Sequence, residues 1–367
     1  MPITKIMVPL DGSELAERAL HIVREIALTT RARVLVVRVV EPPSLLTLGD
    51  RLEAEARVVR EAEDYVNRIA EDLRAVDIEA ETATPYDSDV PGALLEQIRL
   101  RKPDLVVMST HGRSGLGRWV YGSVAEALLA RSPVPVIVVR AAGAVRPFLP
   151  TVKPPRILVP LDGSEYGEAA LPTAIELAKV FEGTLILARV VPVSQVAFVP
   201  ETPIAMQMVL DEELKAAKEY LEQVAARVRA QDVKAAIEIE VGPIVPELLE
   251  IARRVDADMI AISSHGRTGL SELVFGSVTL GLLRQAEVPL LVVRPELIAQ
   301  QQLVRQEPLE AAARQYEALQ VIELTAREAA IVESALKYFA DVYPAGDPIR
   351  AEVRRIYEKL SRKEAAV

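Results

Sequence analysis

Residues 109–123 read Ser109-Thr110-His111-Gly112-Arg113-Ser114-Gly115-Leu116-Gly117-Arg118-Trp119-Val120-Tyr121-Gly122-Ser123, and the pattern returns as Ser263-Ser264-His265-Gly266-Arg267-Thr268-Gly269-Leu270 through Gly276-Ser277. In both copies nine residues stand between the Gly that follows His and the closing Gly-Ser: Arg113 to Tyr121 and Arg267 to Phe275. The first copy leaves the apolar run Leu105-Val106-Val107-Met108 and enters a helical pattern from Ser123 to Ala130, so the stretch joins a strand to a helix. Glycine at such a junction lets backbone amides come close to a phosphate, and the N-terminal N–H groups and dipole of the next helix favour an anion. A spacing kept twice points to a duplicated ligand site. The alternative, glycines that only permit a tight loop, accounts less well for the repeat.

Upstream, Lys5 to Leu10 is a short apolar run that ends in Pro9-Leu10-Asp11-Gly12-Ser13-Glu14, after which Leu15, Ala16, Ala19, Leu20, Val23, Ile26 and Ala27 recur at helical spacing. Arg33 to Val40 is apolar almost throughout, as a strand covered on both faces must be. Residues 51–73 then read as a long amphipathic helix, Ile78 to Ala83 as an edge strand, Pro91 to Arg101 as a shorter helix and Val134 to Val139 as the fifth strand. After Pro147, Pro150, Pro154 and Pro155 the order restarts. Arg156-Ile157-Leu158-Val159-Pro160-Leu161-Asp162-Gly163-Ser164-Glu165 repeats Lys5 to Glu14 at an offset of 151 residues, and the two His motifs are offset by 154. A period this long is a duplicated domain, not a solenoid.

Strands alternating with helices imply a parallel sheet with right-handed crossovers and helices on both faces. The expected fold is therefore α/β, with two tandem flavodoxin-like (Rossmann-like) domains, each a five-stranded parallel sheet in the order 3-2-1-4-5. The domains fall at 1–141 and 156–295, with a Pro-rich linker at 142–155. From 296 to 367 the composition turns to Ala, Glu, Leu and Arg at helical spacing, with Thr325-x-x-Glu328 shaped as a capping box, which predicts a helical C-terminal extension.

Composition narrows the function. The 367 residues suffice for two or three cores, and half are hydrophobic while 4% are aromatic, which suits aliphatic strands under Ala/Leu helices. Lys and Arg total 43 against 53 Asp and Glu, a net charge of -10, and no basic block tracks phosphates, so nucleic acid is not an expected partner. There is no signal-peptide pattern and no apolar run near the roughly 18 residues of a membrane span, so a soluble cytoplasmic protein is expected, with no membrane partner. With no Cys there are no thiolate metal sites, and no carboxylate cluster predicts a metal site built by the protein. Walker-type, kinase and Gly-x-Ser-x-Gly signatures are all missing, so rapid phosphoryl transfer has no visible machinery and no catalytic residue is assigned.

In an open α/β sheet, ligands bind beyond the carboxyl ends of strands where the order reverses, and those ends carry Asp11 with Ser109 to Gly117, and Asp162 with Ser263 to Gly269. Arg113 and Arg267 would add positive charge beside a phosphate. Helix capping is the competing account of two of these side chains, because Asp11-x-x-Glu14 and Ser123-x-x-Glu126 both satisfy a capping box, whereas Ser277 has Leu280 in the partner position. His111 and His265 sit at a strand-to-loop corner, where local hydrogen bonding is a commoner role than general base catalysis. Trp119, Tyr121, Val274 and Phe275 read as packing residues.

The five-strand unit, the Val-Pro-Leu-Asp-Gly-Ser start, Gly-x9-Gly-Ser and the closing Val-Pro-Val-Ile-Val-Val-Arg resemble the universal stress protein family over residues 1–141 and again 155–295. The chain looks like a tandem member with a helical tail. The resemblance implies that ATP or AMP binds, with any Mg2+ carried by the nucleotide. It puts Asp11 and Asp162 against the ribose or adenine, the backbone of Val39 and Val190 at the adenine edge, and Met108 and Ile262 in the base pocket. Phosphate would be held by Gly112, Gly122, Ser123 and Val124 in the first half and by Gly266, Gly276, Ser277 and Val278 in the second. Nucleotide-binding members carry Gly-x2-Gly-x9-Gly-Ser/Thr, and Ser109 and Ser263 occupy the first Gly position here, placing a Cβ where close backbone approach is expected.

Three functions follow for comparison. In the first, a stress or signalling protein changes conformation or partners with nucleotide occupancy of one or both domains. In the second, a protein-interaction scaffold of the same fold does not bind nucleotide. In the third, the chain is a slow ATPase. The resemblance also implies that the domains pair through their last-strand edges, Val136 to Arg140 with Leu290 to Arg294, and it leaves open a homodimer or a protein partner on the tail.

Overall fold

The computed structural model describes residues 2–42, 48–109, 122–140, 153–192, 203–264 and 276–295, within one compact unit, Met1–Val304. The expected helical extension and residues 142–152 of the linker lie outside the described residues, as do His111, Trp119, Tyr121, His265, Val274 and Phe275. The first half runs β1 (Lys5–Pro9), α1 (Glu14–Glu17), α2 (Ala19–Thr30), β2 (Arg33–Val37), α3 (Leu48–Arg74), β3 (Ala80–Ala83), α4 (Val90–Arg101), β4 (Leu105–Ser109), α5 (Ser123–Arg131) and β5 (Val136–Val139). The second runs β6 (Arg156–Pro160), a 3-10 turn (Gly167–Ala170), α6 (Leu171–Val180), β7 (Thr184–Val191), α7 (Pro203–Arg229), β8 (Lys234–Val241), α8 (Ile244–Arg254), β9 (Met259–Ser263), α9 (Ser277–Gln285) and β10 (Leu290–Val293).

Among the described residues ten strands form one sheet, in the order β3-β2-β1-β4-β5-β10-β9-β6-β7-β8. Within each half neighbouring strands are parallel and follow 3-2-1-4-5. The order therefore reverses beside β1 and again beside β6, which places a crevice at the carboxyl end of each. The halves meet where β5 and β10 pair antiparallel, with Leu290 opposite Val138, Leu291 opposite Ile137 and Val292 opposite Val136. Pro135 precedes β5, where its missing N–H costs no ladder bond, and its carbonyl still accepts from the Val106 N–H at 3.0 Å.

Near-continuous aliphatic runs form the central strands because both faces are covered. On one face Ile6, Val8, Val107 and Ile137 pack under α1, α2 and α3, and this layer continues into Leu291, Val159 and Leu187 beneath α6 and α7. On the other, Met7, Val106, Val136 and Val138 pack under α4 and α5 and continue into Val292, Ile260 and Leu158 beneath α8 and α9. Both apolar layers thus cross the junction between the halves. The first helical pattern, expected as one helix, is split at Arg18: His21 N–H donates to the Arg18 carbonyl at 3.4 Å, an i to i+3 contact that tightens the chain locally.

Candidate functional site

At the carboxyl ends of β1, β2 and β4 lies a cavity of about 360 Å³ lined by Asp11, Arg38, Val39, Met108, Ser109, Gly122, Ser123 and Val124, among others. Its counterpart at the ends of β6, β7 and β9 has a volume of about 270 Å³ and is lined by Asp162, Arg189, Val190, Ile262, Ser263, Gly276, Ser277 and Val278. The fold thus gathers residues far apart in sequence into two equivalent crevices. Gly112, Arg113, Gly266 and Arg267 lie outside the described residues.

Asp11 is held by the turn that follows β1. Its Oδ1 accepts from the Ser13 N–H at 2.9 Å and from the Ser13 hydroxyl at 2.6 Å. Ser13 Oγ in turn accepts from the Ala16 N–H at 3.1 Å and caps α1. The second half repeats this: Asp162 Oδ1 accepts from Ser164 N–H at 3.0 Å and Ser164 Oγ at 2.6 Å, and Ser164 Oγ accepts from Gly167 N–H at 3.0 Å. The competing account, in which Asp11 caps the helix, is not what the structure shows, because Ser13 takes the cap while Asp11 braces the turn.

The same holds for the capping account of Ser123. Gly122 is the N-cap of α5, with φ -59° and ψ 144°, and no side chain caps the helix. Gly276 does the same for α9, with φ -58° and ψ 147°. Ser123 and Ser277 are the first helical residues and are exposed on the cavities. The N-terminal turn of each helix therefore faces its crevice without a side-chain cap, an arrangement that suits an anion. In the second half the end of β9 is tied to α9, since Thr279 Oγ1 donates to the Ser263 carbonyl at 3.0 Å; Ala125 occupies that helical position in the first half.

A polar brace that sequence reasoning missed lies behind each crevice. The Arg38 guanidinium sits 5.0 Å from the Tyr65 ring centroid, and Arg189 sits 5.5 Å from that of Tyr220. The Tyr65 hydroxyl donates to Glu17 Oε1 and the Tyr220 hydroxyl to Glu168 Oε1, each at 2.9 Å. Burial, reinforced by donation to a carboxylate, raises both phenols well above the ordinary tyrosine value. The guanidinium also lies against the turn after the first strand of its half. Gly12 has φ +88° and Gly163 φ +86°, and a Cβ there would come within 3.3 Å of Arg38 Nη1 and 2.9 Å of Arg189 Nη1. The available signal was a charge inside an aliphatic strand run, Arg38, recurring as Arg189 at the same 151-residue offset as Asp11 and Asp162.

The residues present fit an adenine nucleotide. Each crevice has an apolar wall for a ring, a fixed carboxylate for hydroxyl or amine groups, and a helix N-terminus for phosphate. Two buried hydroxyls, Ser109 Oγ and Ser263 Oγ, have no hydrogen-bond partner among the described residues. Among the described residues no group of three or more His, Asp or Glu is placed to hold a metal ion, and no helix is long and apolar enough to cross a membrane.

A model of the universal stress protein family matches residues 2–140 and 154–294. The chain is 30% identical over 139 residues to Universal stress protein MJ0531 of Methanocaldococcus jannaschii, covering 38% of this chain and 81% of that protein. It is 27% identical over 305 residues to Universal stress protein Rv2623 of Mycobacterium tuberculosis, covering 80% of this chain and 97% of that protein. Among solved structures, a protein of Archaeoglobus fulgidus, itself described as a universal stress protein, shares the fold. Its TM-score is 0.58 at 20% sequence identity, over 80% of this chain and all of that one.

Proposed function

The chain belongs to the universal stress protein family as a tandem member, and from that premise we propose that it binds an adenine nucleotide, ATP or AMP, in the crevices of its two halves. Occupancy then alters conformation or partner contacts. The binding units are residues 1–141 and 156–295, separated by the Pro-rich segment, and the protein works in the cytoplasm.

One observation carries the reading: at each point where the strand order reverses, a fixed carboxylate faces a helix N-terminus that lacks a side-chain cap, across a cavity with an apolar wall. The carboxylate, Asp11 or Asp162, accepts from ribose or adenine donors. Met108, Val39 and their counterparts Ile262 and Val190 enclose the base, and the first turns of α5 and α9 take the phosphates. Any magnesium arrives on the nucleotide. Titration of nucleotide-stripped protein with ATP and AMP by calorimetry tests this, with saturable binding at one or two sites expected. No heat of binding at millimolar ligand would sink the proposal and leave the scaffold reading in its place.

A further inference from the structure

Asp11, Glu17, Arg38 and Tyr65 of the first half recur as Asp162, Glu168, Arg189 and Tyr220. The set is kept while the walls around it diverge: Glu41 and Ala125 of the first cavity have Pro192 and Thr279 as counterparts in the second. A tyrosine bonded to a glutamate would tie two elements together without help. Arg38 and Arg189 do something more, since each lines its crevice beside the aspartate.

Alternation along the strands fixes where the guanidinium goes. Val34 and Val36 of β2, and Leu185 and Leu187 of β7, join the apolar layer against which Tyr65 and Tyr220 pack. Arg38 and Arg189, two positions on, turn to that same face. There each fills the space between an aromatic ring and the left-handed turn that carries the aspartate. A Cβ at Gly12 would meet Nη1, Cζ and Nη2 of Arg38 at 3.3, 3.4 and 3.5 Å, so the guanidinium lies flat on that turn. The order of the strands says which part of the ligand the turn meets. Across the first half run β2, β1 and β4. Val39, at the base end of the proposed ligand, follows β2, and the N-terminus of α5, at the phosphate end, follows β4. Asp11 follows β1, between the two, where the sugar lies. In the second half β7, β6 and β9 place Asp162 between Val190 and the N-terminus of α9 in the same way.

We infer that Arg38 and Arg189 are positioning residues for ribose recognition: the flat guanidinium, seated between the tyrosine ring and the glycine turn, holds the Asp11 or Asp162 carboxylate toward the sugar hydroxyls. This rests on the nucleotide reading above and assigns the carboxylate to the ribose rather than the base. Arginine suits the place because its planar fork can lie on a ring and on a backbone turn at once, which a lysine ammonium cannot.

The test is calorimetric titration of full-length, nucleotide-stripped protein with ATP and with dideoxy-ATP, which lacks both ribose hydroxyls. The unaltered protein should prefer ATP by about tenfold, as hydrogen bonds to a charged group require. That preference should vanish in D11N/D162N and shrink to about threefold or less in R38M/R189M. R38M/R189M should also weaken ATP binding in the parent but not on top of D11N/D162N, because residues that act through one group are not additive. R38K/R189K keeps the charge and the long stem, which guards against a Met variant that fails to fold, and it should narrow the preference as well. An arginine variant that weakens both ligands alike and keeps the parent's preference would leave these residues a purely structural role and overturn the inference. So would an equal loss of ATP affinity in both backgrounds, which means that arginine acts without the carboxylate, or a parent that binds ATP and dideoxy-ATP equally; nucleotide binding itself would stand in each case. Failure of the unaltered protein to bind ATP overturns both readings.

Discussion

Tyr65 and Tyr220 carry their hydroxyls into the edge of the core, away from water. Each lies against a guanidinium and donates to a carboxylate, which ties α3 to α1 in the first half and α7 to the 3-10 turn in the second. Removing the hydroxyl with Tyr65→Phe should cost about 0.5–1.5 kcal/mol, the net worth of one such bond, in urea denaturation at pH 7. The direction of the phenol shift adds a pH signature. The folded state keeps its two phenolic protons to higher pH than the unfolded chain, whose tyrosines titrate near 10. The stabilisation is therefore whole below about pH 10 and is lost as pH rises from there toward the folded values. Denaturation midpoints should hold level from pH 8 to 9.5 and fall above 10, and Tyr65→Phe/Tyr220→Phe should flatten that fall. An equally steep fall in the double variant would show that the phenols are not its source.

At the scale of elements, the junction between the halves combines a strand pair with a helix end. Arg140, just past β5, reaches into the second half and donates from Nη1 to the Ala286 carbonyl at 2.8 Å, beside the end of α9. A cation at that end satisfies a terminal carbonyl and complements the helix dipole. Arg140→Ala should lower stability by about 1–2 kcal/mol in denaturant unfolding, whereas Arg140→Lys should recover part of the loss through its charge. These elements also show what could be read from sequence. The strands and the two crevices were legible because aliphatic runs and the Asp-Gly-Ser and Gly-x9-Gly-Ser spacings are local and repeated. The caps were not legible, since Asp11-Gly12-Ser13 offers two oxygen side chains and Gly122-Ser123 two cap positions, and backbone geometry chooses between them. The Arg-Tyr-Glu brace was not legible, because Glu17, Arg38 and Tyr65 meet only after three separate elements pack.

The described residues of the two halves form one ten-stranded sheet rather than two separate ones. Both apolar layers run through β5 and β10: Ile137 and Leu291 are fully buried in one, and Val136, Val138, Leu290 and Val292 are each 2% exposed in the other. Cutting the chain between the halves would bare the β5 edge together with the aliphatic side chains on both of its faces. An unprotected edge of that kind seeks another strand, and the nearest equivalent is β5 of a second copy. Residues 1–141 produced alone should therefore self-associate in sedimentation equilibrium and melt below the full chain, with a melting temperature that rises with protein concentration as mass action demands. In the intact chain, by contrast, melting should be independent of concentration, because the partner edge is supplied from within. A fragment that stays monomeric and melts at the temperature of the full chain would mean that the junction contributes nothing to folding.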